Sequence, residues 1–172
     1  MTGNHTSSKS PTLPSPSEDI TATCLRLLRS RRVGPATYKR LIREHGTAQA
    51  ALAALPDIAA QAGVPDYSIC PEAVVVAEMK SARANNAKLL IAGHAGYPVA
   101  LSDLDDAPPL LWAIGDTTLI DRPMIALVGA RNASSLGTRM AKKLAADLGD
   151  AGFVIVSGLA RGVDTAAHIA SL

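Results

Sequence analysis

Residues 124–164, with the sequence MIALVGARNASSLGTRMAKKLAADLGDAGFVIVSGLARGVD, decide the fold. Two short runs in this stretch, 124–128 and 153–156, are aliphatic and rich in β-branched residues, which is typical of strands buried on both faces of a parallel sheet. The serines that follow the first run can cap a helix that ends near Asp150. The residues predicted for the inner face of this helix are Leu136, Met140, Leu144 and Leu148.

Each predicted strand is followed by a glycine-bearing loop and then by a helix. This order predicts an α/β protein that contains the start of a doubly wound, Rossmann-type parallel sheet. The second loop ends at Asp164, which is the predicted N-cap of a last helix over residues 165–172. Both loops therefore lie at the carboxyl ends of the strands, where ligands of such sheets bind.

The two loops have the composition of a phosphate-binding site. Each leads into a helix N-terminus, which favours anions, and each contains one arginine, whose guanidinium can bind phosphate oxygens in a bidentate manner. Ordinary surface ion pairing is the alternative role for these arginines. The residues predicted to bind phosphate are Gly129, Arg131, Ser134, Gly137, Ser157, Gly158, Arg161 and Gly162.

The same stretch lacks the fingerprints of common nucleotide enzymes. After Gly129 the next glycine is Gly137, so the GxGxxG dinucleotide motif is absent, and no Walker lysine is present. Asp164 and His168 lie four residues apart and are interpreted as a cap and a packed histidine, because no nucleophile accompanies them. We therefore predict no catalytic residue, no metal and no cofactor. The alternative is a nucleotide-hydrolysing enzyme, for which Asp164 is the sole candidate carboxylate.

Upstream, residues 20–64 predict a small helical domain. Apolar spacing indicates helices over 20–28 and 36–44, separated by Val33-Gly34-Pro35. Gly46 is a predicted C-cap and Thr47 a predicted N-cap for a helix that ends near Leu55. A short fourth helix is predicted from Pro56 to Gly63. The first helix pair resembles a helix-hairpin-helix, in which backbone amides face a phosphate, although a protein-interaction module is an equally open alternative.

The formal net charge of +2 hides a strong asymmetry. Residues 26–43 contain seven basic side chains and no acid, residues 44–121 contain ten acids and three bases, and residues 122–172 contain six bases and three acids. The two ends are thus predicted to meet an anionic partner, although a solvated helix face is the alternative. The secondary basic patch is predicted to comprise Arg31, Arg32, Lys39 and Arg40.

The remaining segments complete the predicted organisation. Residues 1–19 are predicted to be a disordered tail, 65–71 a linker and 72–172 one Rossmann-like domain with a helix from residue 72 and short strands near 88–92 and 110–114. The two cysteines, Cys24 and Cys70, form no disulfide framework or zinc motif. Together with the absence of a long apolar run, they predict a cytoplasmic protein with no membrane segment.

Two sets of residues resemble a known family, DNA-processing protein A (DprA, also called Smf). The stronger set comprises Val128-Gly129-Ala130-Arg131 and Val156-Ser157-Gly158-Leu159-Ala160-Arg161-Gly162-Val163-Asp164. The weaker set lies upstream, with Val33-Gly34-Pro35 in the helical domain and Tyr97-Pro98 and Pro108-Pro109-Leu110-Leu111 in the segment before the core.

The resemblance implies an extended Rossmann fold that binds single-stranded DNA and helps to load the RecA recombinase onto incoming strands during natural transformation. It implies that Arg131 and Arg161 hold phosphates, and it implies no chemical step. The family pattern continues with further strands and a homodimer surface after the last quoted motif. The sheet is therefore expected to be incomplete here, with a C-terminal truncation of the domain.

Overall fold

The computed structural model describes Leu13 and residues 16–172, and it divides into two compact units, residues 1–115 and 116–172. Most of the predicted N-terminal tail lies outside the described residues. The predicted end of that tail is wrong, because Glu18 and Asp19 already belong to the first helix. Ser17 explains the early start, since its Oγ accepts a hydrogen bond from the Ile20 amide at 3.3 Å.

The first unit begins with four helices. They are α1 (Glu18–Arg29), α2 (Pro35–His45), α3 (Ala48–Gln61) and α4 (Glu72–Ala84). Pro35 occupies the first turn of α2, and Gly46 ends that helix at φ +78°, as the sequence predicts. Leu25, Leu27 and Leu41 are fully buried in the core that the helices share.

The prediction of separate third and fourth helices is wrong, because α3 runs without interruption through Pro56. A proline removes one amide donor from a helix but keeps a helical φ, so the surrounding turns can continue when they are packed. Ala51 and Leu55 are both buried on that helix, and this packing supports the interior proline. The helix ends where Gly63, at φ +74°, closes a Schellman turn.

The segment predicted as a linker, residues 65–71, is bound to α1. The Cys70 amide donates to Ser30 Oγ at 3.0 Å, and Arg26 Nε donates to the Cys70 carbonyl at 2.7 Å. The Tyr67 hydroxyl donates to the Arg31 carbonyl at 2.6 Å. These bonds hold the segment against the helical core. The predicted domain boundaries, with the second domain beginning at residue 72, stay a prediction.

Two antiparallel strands complete the first unit, β1 (Ala87–Ile91) and β2 (Leu110–Ile114), with a short helix α5 (Val99–Ser102) between them. Trp112 of β2 donates its indole N–H to Glu78 of α4 at 2.7 Å. The same carboxylate accepts two bonds from Arg29 of α1, at 2.7 and 2.8 Å. One carboxylate therefore joins two helices and a strand.

The second unit contains β3 (Met124–Ala126), α6 (Ser135–Asp150), β4 (Val154–Val156) and α7 (Val163–Ala170), preceded by a 3-10 helix, Thr117–Asp121. The strands pair in parallel, with Ile125 opposite Ile155. The α/β class and the order of elements are confirmed. The prediction that both strands are buried on both faces is wrong, because no residue of β3 or β4 is fully buried, and Met124 and Val156 are 41% and 43% exposed.

The predicted inner face of α6 is also wrong. Leu136, Met140 and Leu144 are 62%, 49% and 43% exposed. The buried residues of α6 are Ala141 and Ala145, and this helix packs closely against α7, whose buried residues include two further alanines. Alanines allow two helices to approach closely, so the small residues rather than the large ones face the partner helix.

Candidate nucleic-acid interface

The two predicted phosphate loops touch each other through glycines. A Cβ atom placed on Gly162, which has φ +83°, would lie 2.6 Å from the Arg131 carbonyl oxygen, and one on Gly129 would lie 2.8 Å from a Val163 methyl. The Val163 amide also donates to the Ala130 carbonyl at 3.2 Å. Glycine is required at both positions for this approach. The fold therefore brings the backbones on either side of the two loop arginines into contact.

Asp164 closes the second loop, but it does not cap α7. The N-cap of that helix is Gly162, and the Asp164 carboxylate, only 7% exposed, accepts a hydrogen bond from the Gly158 amide at 3.0 Å. The predicted N-cap role is therefore wrong. The helix begins two residues earlier than predicted, because Gly162 adopts a backbone conformation that lets α7 start at Val163, and the carboxylate then reaches back to the loop.

Some of the predicted donors are used within the fold. The Ser157 hydroxyl donates to the Leu127 carbonyl at 2.6 Å, and Ser134 Oγ caps α6 by accepting from the Gly137 amide at 3.1 Å. The Gly158 amide is bound by Asp164, as described above. These hydroxyl and amide groups shape the two loops. Because they are already bonded, the two arginines are the main groups in the loops that remain for an anion.

Arg131 and Arg161 are both exposed. Within residues 16–172, neither guanidinium makes a hydrogen bond or an ion pair, so the surface ion pairing considered from the sequence is not seen for them. The start of α7 has little free donor capacity, because the amides of Val163, Thr165 and Ala166 bind loop carbonyls. The two guanidiniums are therefore the strongest groups for an anion at this edge of the sheet.

His168 fits the packed role predicted for it. Its Nε2 lies 3.3 Å from the Ser157 carbonyl oxygen, and the side chain is half-buried. In the described part of the chain, no group of three or more histidine, cysteine, aspartate or glutamate side chains is arranged to hold a metal ion. No helix of those residues is long and apolar enough to cross a bilayer.

The secondary basic patch in the first unit is only partly available. Lys39 donates to the Leu104 and Asp105 carbonyls at 3.4 and 2.7 Å, and Arg40 pairs with Glu44 one turn along α2 at 3.3 Å. Arg31 and Arg32 are exposed in the turn between α1 and α2. Lys39 and Arg40 are therefore engaged within the fold, whereas the guanidiniums of Arg31 and Arg32 make no hydrogen bond or ion pair within residues 16–172.

One residue of the second loop was not singled out from the sequence. Leu159 has a positive φ of 56° and is 80% exposed. An aliphatic side chain in this conformation is rare, because Cβ crowds the backbone there. The available sequence signal is an aliphatic residue within an otherwise small and polar loop, Ser157 to Arg161.

These elements define an α/β protein with a helical N-terminal part and a Rossmann-like strand–loop–helix repeat. A model of the DprA-like N-terminal HHH domain matches residues 18–81, and a model of DNA recombination-mediator protein A matches residues 88–172. The chain belongs to the DprA family. The resemblance noted in the sequence is thereby confirmed.

Individual relatives agree with this assignment. DNA processing protein DprA of Streptococcus pneumoniae is 46% identical over 76 residues, covering 44% of this chain and 27% of the relative. The Bacillus subtilis protein of the same name is 40% identical over 77 residues, covering 44% and 26%. The X-ray structure of DprA from Streptococcus pneumoniae gives a TM-score of 0.62 at 27% identity, covering 88% of this chain and 53% of that one. The chain spans about a quarter of the length of the curated relatives it matches.

Proposed function

We propose that this chain binds single-stranded DNA as part of a recombination mediator of the DprA type. The observation that carries the proposal is the contact between the two glycine-rich loops, which places Arg131 and Arg161 on adjoining backbones with no described partner. Two guanidiniums that are held by adjoining backbones can bind phosphates of the same strand. The family's description as a DNA recombination mediator supports the same partner.

Binding of this kind depends on charge and is insensitive to base sequence. Phosphate contacts release condensed counterions, so the affinity should fall steeply as salt rises. The loop hydroxyls and the Gly158 amide are bound within the fold, so they contribute by fixing the loop geometry rather than by reading bases. The eight predicted residues thus divide into two that bind phosphate and six that shape the site.

Fluorescence anisotropy with labelled single-stranded oligonucleotides over a range of salt concentrations tests the proposal. Arg131→Ala and Arg161→Ala should each weaken binding to all sequences alike and lower the slope of log affinity against log salt by about 1. Arg122→Ala is the matched control. Arg122 precedes β3 and binds the Gly152 carbonyl at 3.2 Å, so it lies at the opposite end of the strands. A similar loss in all three variants would contradict the assignment.

We propose a binding role rather than catalysis. The carboxylate that a nucleotide-hydrolysing enzyme would need is Asp164, and that group is buried and bound by a backbone amide. A hydrolysis assay with nucleoside monophosphates accompanies the binding experiment. Turnover that is lost in Asp164→Asn would reverse this part of the proposal.

The wider role is proposed from the family. The protein would protect incoming DNA and help to load RecA during natural transformation, and it would act in the cytoplasm. A homodimer would need the surface that the family pattern places after the last quoted motif. Support for the compartment comes from the two free, buried cysteines, because reducing compartments keep thiols unpaired.

The basic turn with Arg31 and Arg32 is proposed as a second, weaker DNA contact. Co-sedimentation with RecA filaments and light scattering test the two partner proposals.

A further inference from the structure

Leu159 combines two properties that are rarely found together in an aliphatic residue, a positive φ and an exposed side chain. Its φ of 56° is a left-handed conformation that is unfavourable for an L residue, and its side chain is 80% exposed. A strained residue persists only where the surrounding structure holds it in place, and such residues cluster at functional sites. Here the side chain of Leu159 gains almost no burial in return.

The backbone on both sides of Leu159 is fixed by hydrogen bonds. On one side, Gly158 donates to the Asp164 carboxylate at 3.0 Å. On the other side, the Ala160 carbonyl accepts from both the amide and the hydroxyl of Thr165, at 3.1 and 2.7 Å. The loop therefore holds Leu159 in its conformation and presents an aliphatic side chain to solvent in a defined place.

That place lies in the same loop as one of the two arginines proposed to bind phosphate. Leu159 is two residues before Arg161, in the loop whose glycine touches the Arg131 carbonyl. Val128, two residues beyond the end of β3 and directly before the other loop, is 76% exposed. The edge of the sheet thus carries exposed aliphatic groups beside exposed guanidiniums, which matches a ligand that has apolar faces next to phosphates.

We propose that Leu159 packs against the face of a nucleobase while Arg131 and Arg161 hold the neighbouring phosphates. The proposal rests on the single-stranded DNA binding proposed above and adds a base contact to it. An unpaired base offers an accessible apolar face, whereas the bases of a duplex are stacked on one another. Leu159 therefore favours single strands over duplex DNA and does so for every base.

The test compares two probes of equal length and charge by anisotropy: oligothymidylate, and an oligonucleotide of abasic residues. Leu159→Asn and Leu159→Gly are the variants, because asparagine and glycine both tolerate a positive φ and so preserve the loop. Each variant should bind oligothymidylate about fivefold more weakly, as expected for a partly buried leucine, with no change for the abasic probe. Leu144→Asn, an exposed leucine on α6, is the control and should change neither affinity.

Thermal unfolding of the same variants excludes a structural explanation. Relief of the strained leucine means that Leu159→Gly should not lower the unfolding midpoint. Equal weakening for both probes, or no weakening for either, overturns the base contact while leaving the phosphate site in place. Equal binding of both probes by the wild-type protein would likewise overturn the base contact and leave the phosphate site in place. Wild-type protein that binds neither probe overturns the proposed function and the base contact together.

Discussion

The Asp164 carboxylate accepts a hydrogen bond from the Gly158 amide at 3.0 Å and thereby ties the first turn of α7 to the loop that precedes it. Asp164 is only 7% exposed. A buried aspartate needs a partner, and here the Gly158 amide is that partner. The negative charge of Asp164 also lies in the first turn of a helix, where the helix dipole stabilises anions. One buried side chain therefore fixes the loop conformation and adds a favourable negative charge to the first turn of the helix.

Replacing Asp164 with alanine should destabilise the second unit. The change leaves the Gly158 amide without its acceptor, which should lower the free energy of unfolding by about 1–3 kcal/mol in urea titrations. Asparagine keeps an amide oxygen at that position, so Asp164→Asn should retain part of the stability. Asp150→Ala removes an exposed carboxylate of the same unit and serves as the control. Equal losses for Asp164→Ala and Asp150→Ala would contradict the role of the buried bond.

A second prediction concerns the contact between the loops. Gly162→Ala should be more destabilising than Gly152→Ala, although both glycines have a positive φ, at 83° and 91°. A Cβ at residue 152 meets nothing within 4 Å, so that variant carries the conformational cost alone, about 1–2 kcal/mol. A Cβ at residue 162 also meets the Arg131 carbonyl oxygen at 2.6 Å and must separate the loops. Calorimetric melting distinguishes the two, and equal midpoints would show that the loops do not touch in solution.

A third prediction concerns acid stability of the first unit. The Arg29 guanidinium holds the pKa of the Glu78 carboxyl below its ordinary value of 4.5, with a further contribution from the Trp112 indole. Because the folded pKa is the lower one, this stabilisation is present above pH 4.5 and is lost as the pH falls through the folded pKa. Glu78→Gln should lower the free energy of unfolding by about 1–2 kcal/mol near neutral pH.

The difference between wild type and Glu78→Gln should shrink as the pH falls below 4.5 and through the lowered pKa of Glu78, measured by urea titration at each pH. The control is Glu44→Gln. Glu44 pairs with Arg40 on the exposed surface of α2, and both side chains are about half exposed, so solvent screens this pair. A difference that stays constant with pH would show that the Glu78 charge does not contribute.

Apart from the division of α3 and two short helical segments that it misses, the sequence predicts the element order correctly, because helix caps are strong local signals. Ser134 and Thr47 cap helices as predicted, and Gly46 ends one at a positive φ. Local rules of this kind depend only on neighbouring residues, so a single sequence reveals them. The interior proline of α3 shows the limit of these local rules. They place a helix start at Pro56, whereas burial of Ala51 and Leu55 stabilises one helix that continues through it.

The site was predicted less completely than the fold. The loops and their arginines follow from composition, but the contact of Gly162 with Arg131 depends on how two distant turns meet. The role of Asp164 depends on the orientation of its side chain, since its position would suit either a cap or a loop contact. The strain at Leu159 is a backbone property with no pattern in the sequence.

The fourth prediction tests the face of α6 that is buried. Periodicity selects Leu144 as an inner residue, whereas the structure leaves it 43% exposed and buries the adjacent Ala145 completely. Ala145→Leu should therefore overpack the contact with α7 and lower the free energy of unfolding by about 1–3 kcal/mol. Leu144→Gln should change that free energy by less than about 0.5 kcal/mol, because surface changes rarely cost more. Urea titrations of the two variants at neighbouring positions decide the matter: a large loss for Leu144→Gln with a small one for Ala145→Leu would mean that the leucines, not the alanines, form the buried face in solution.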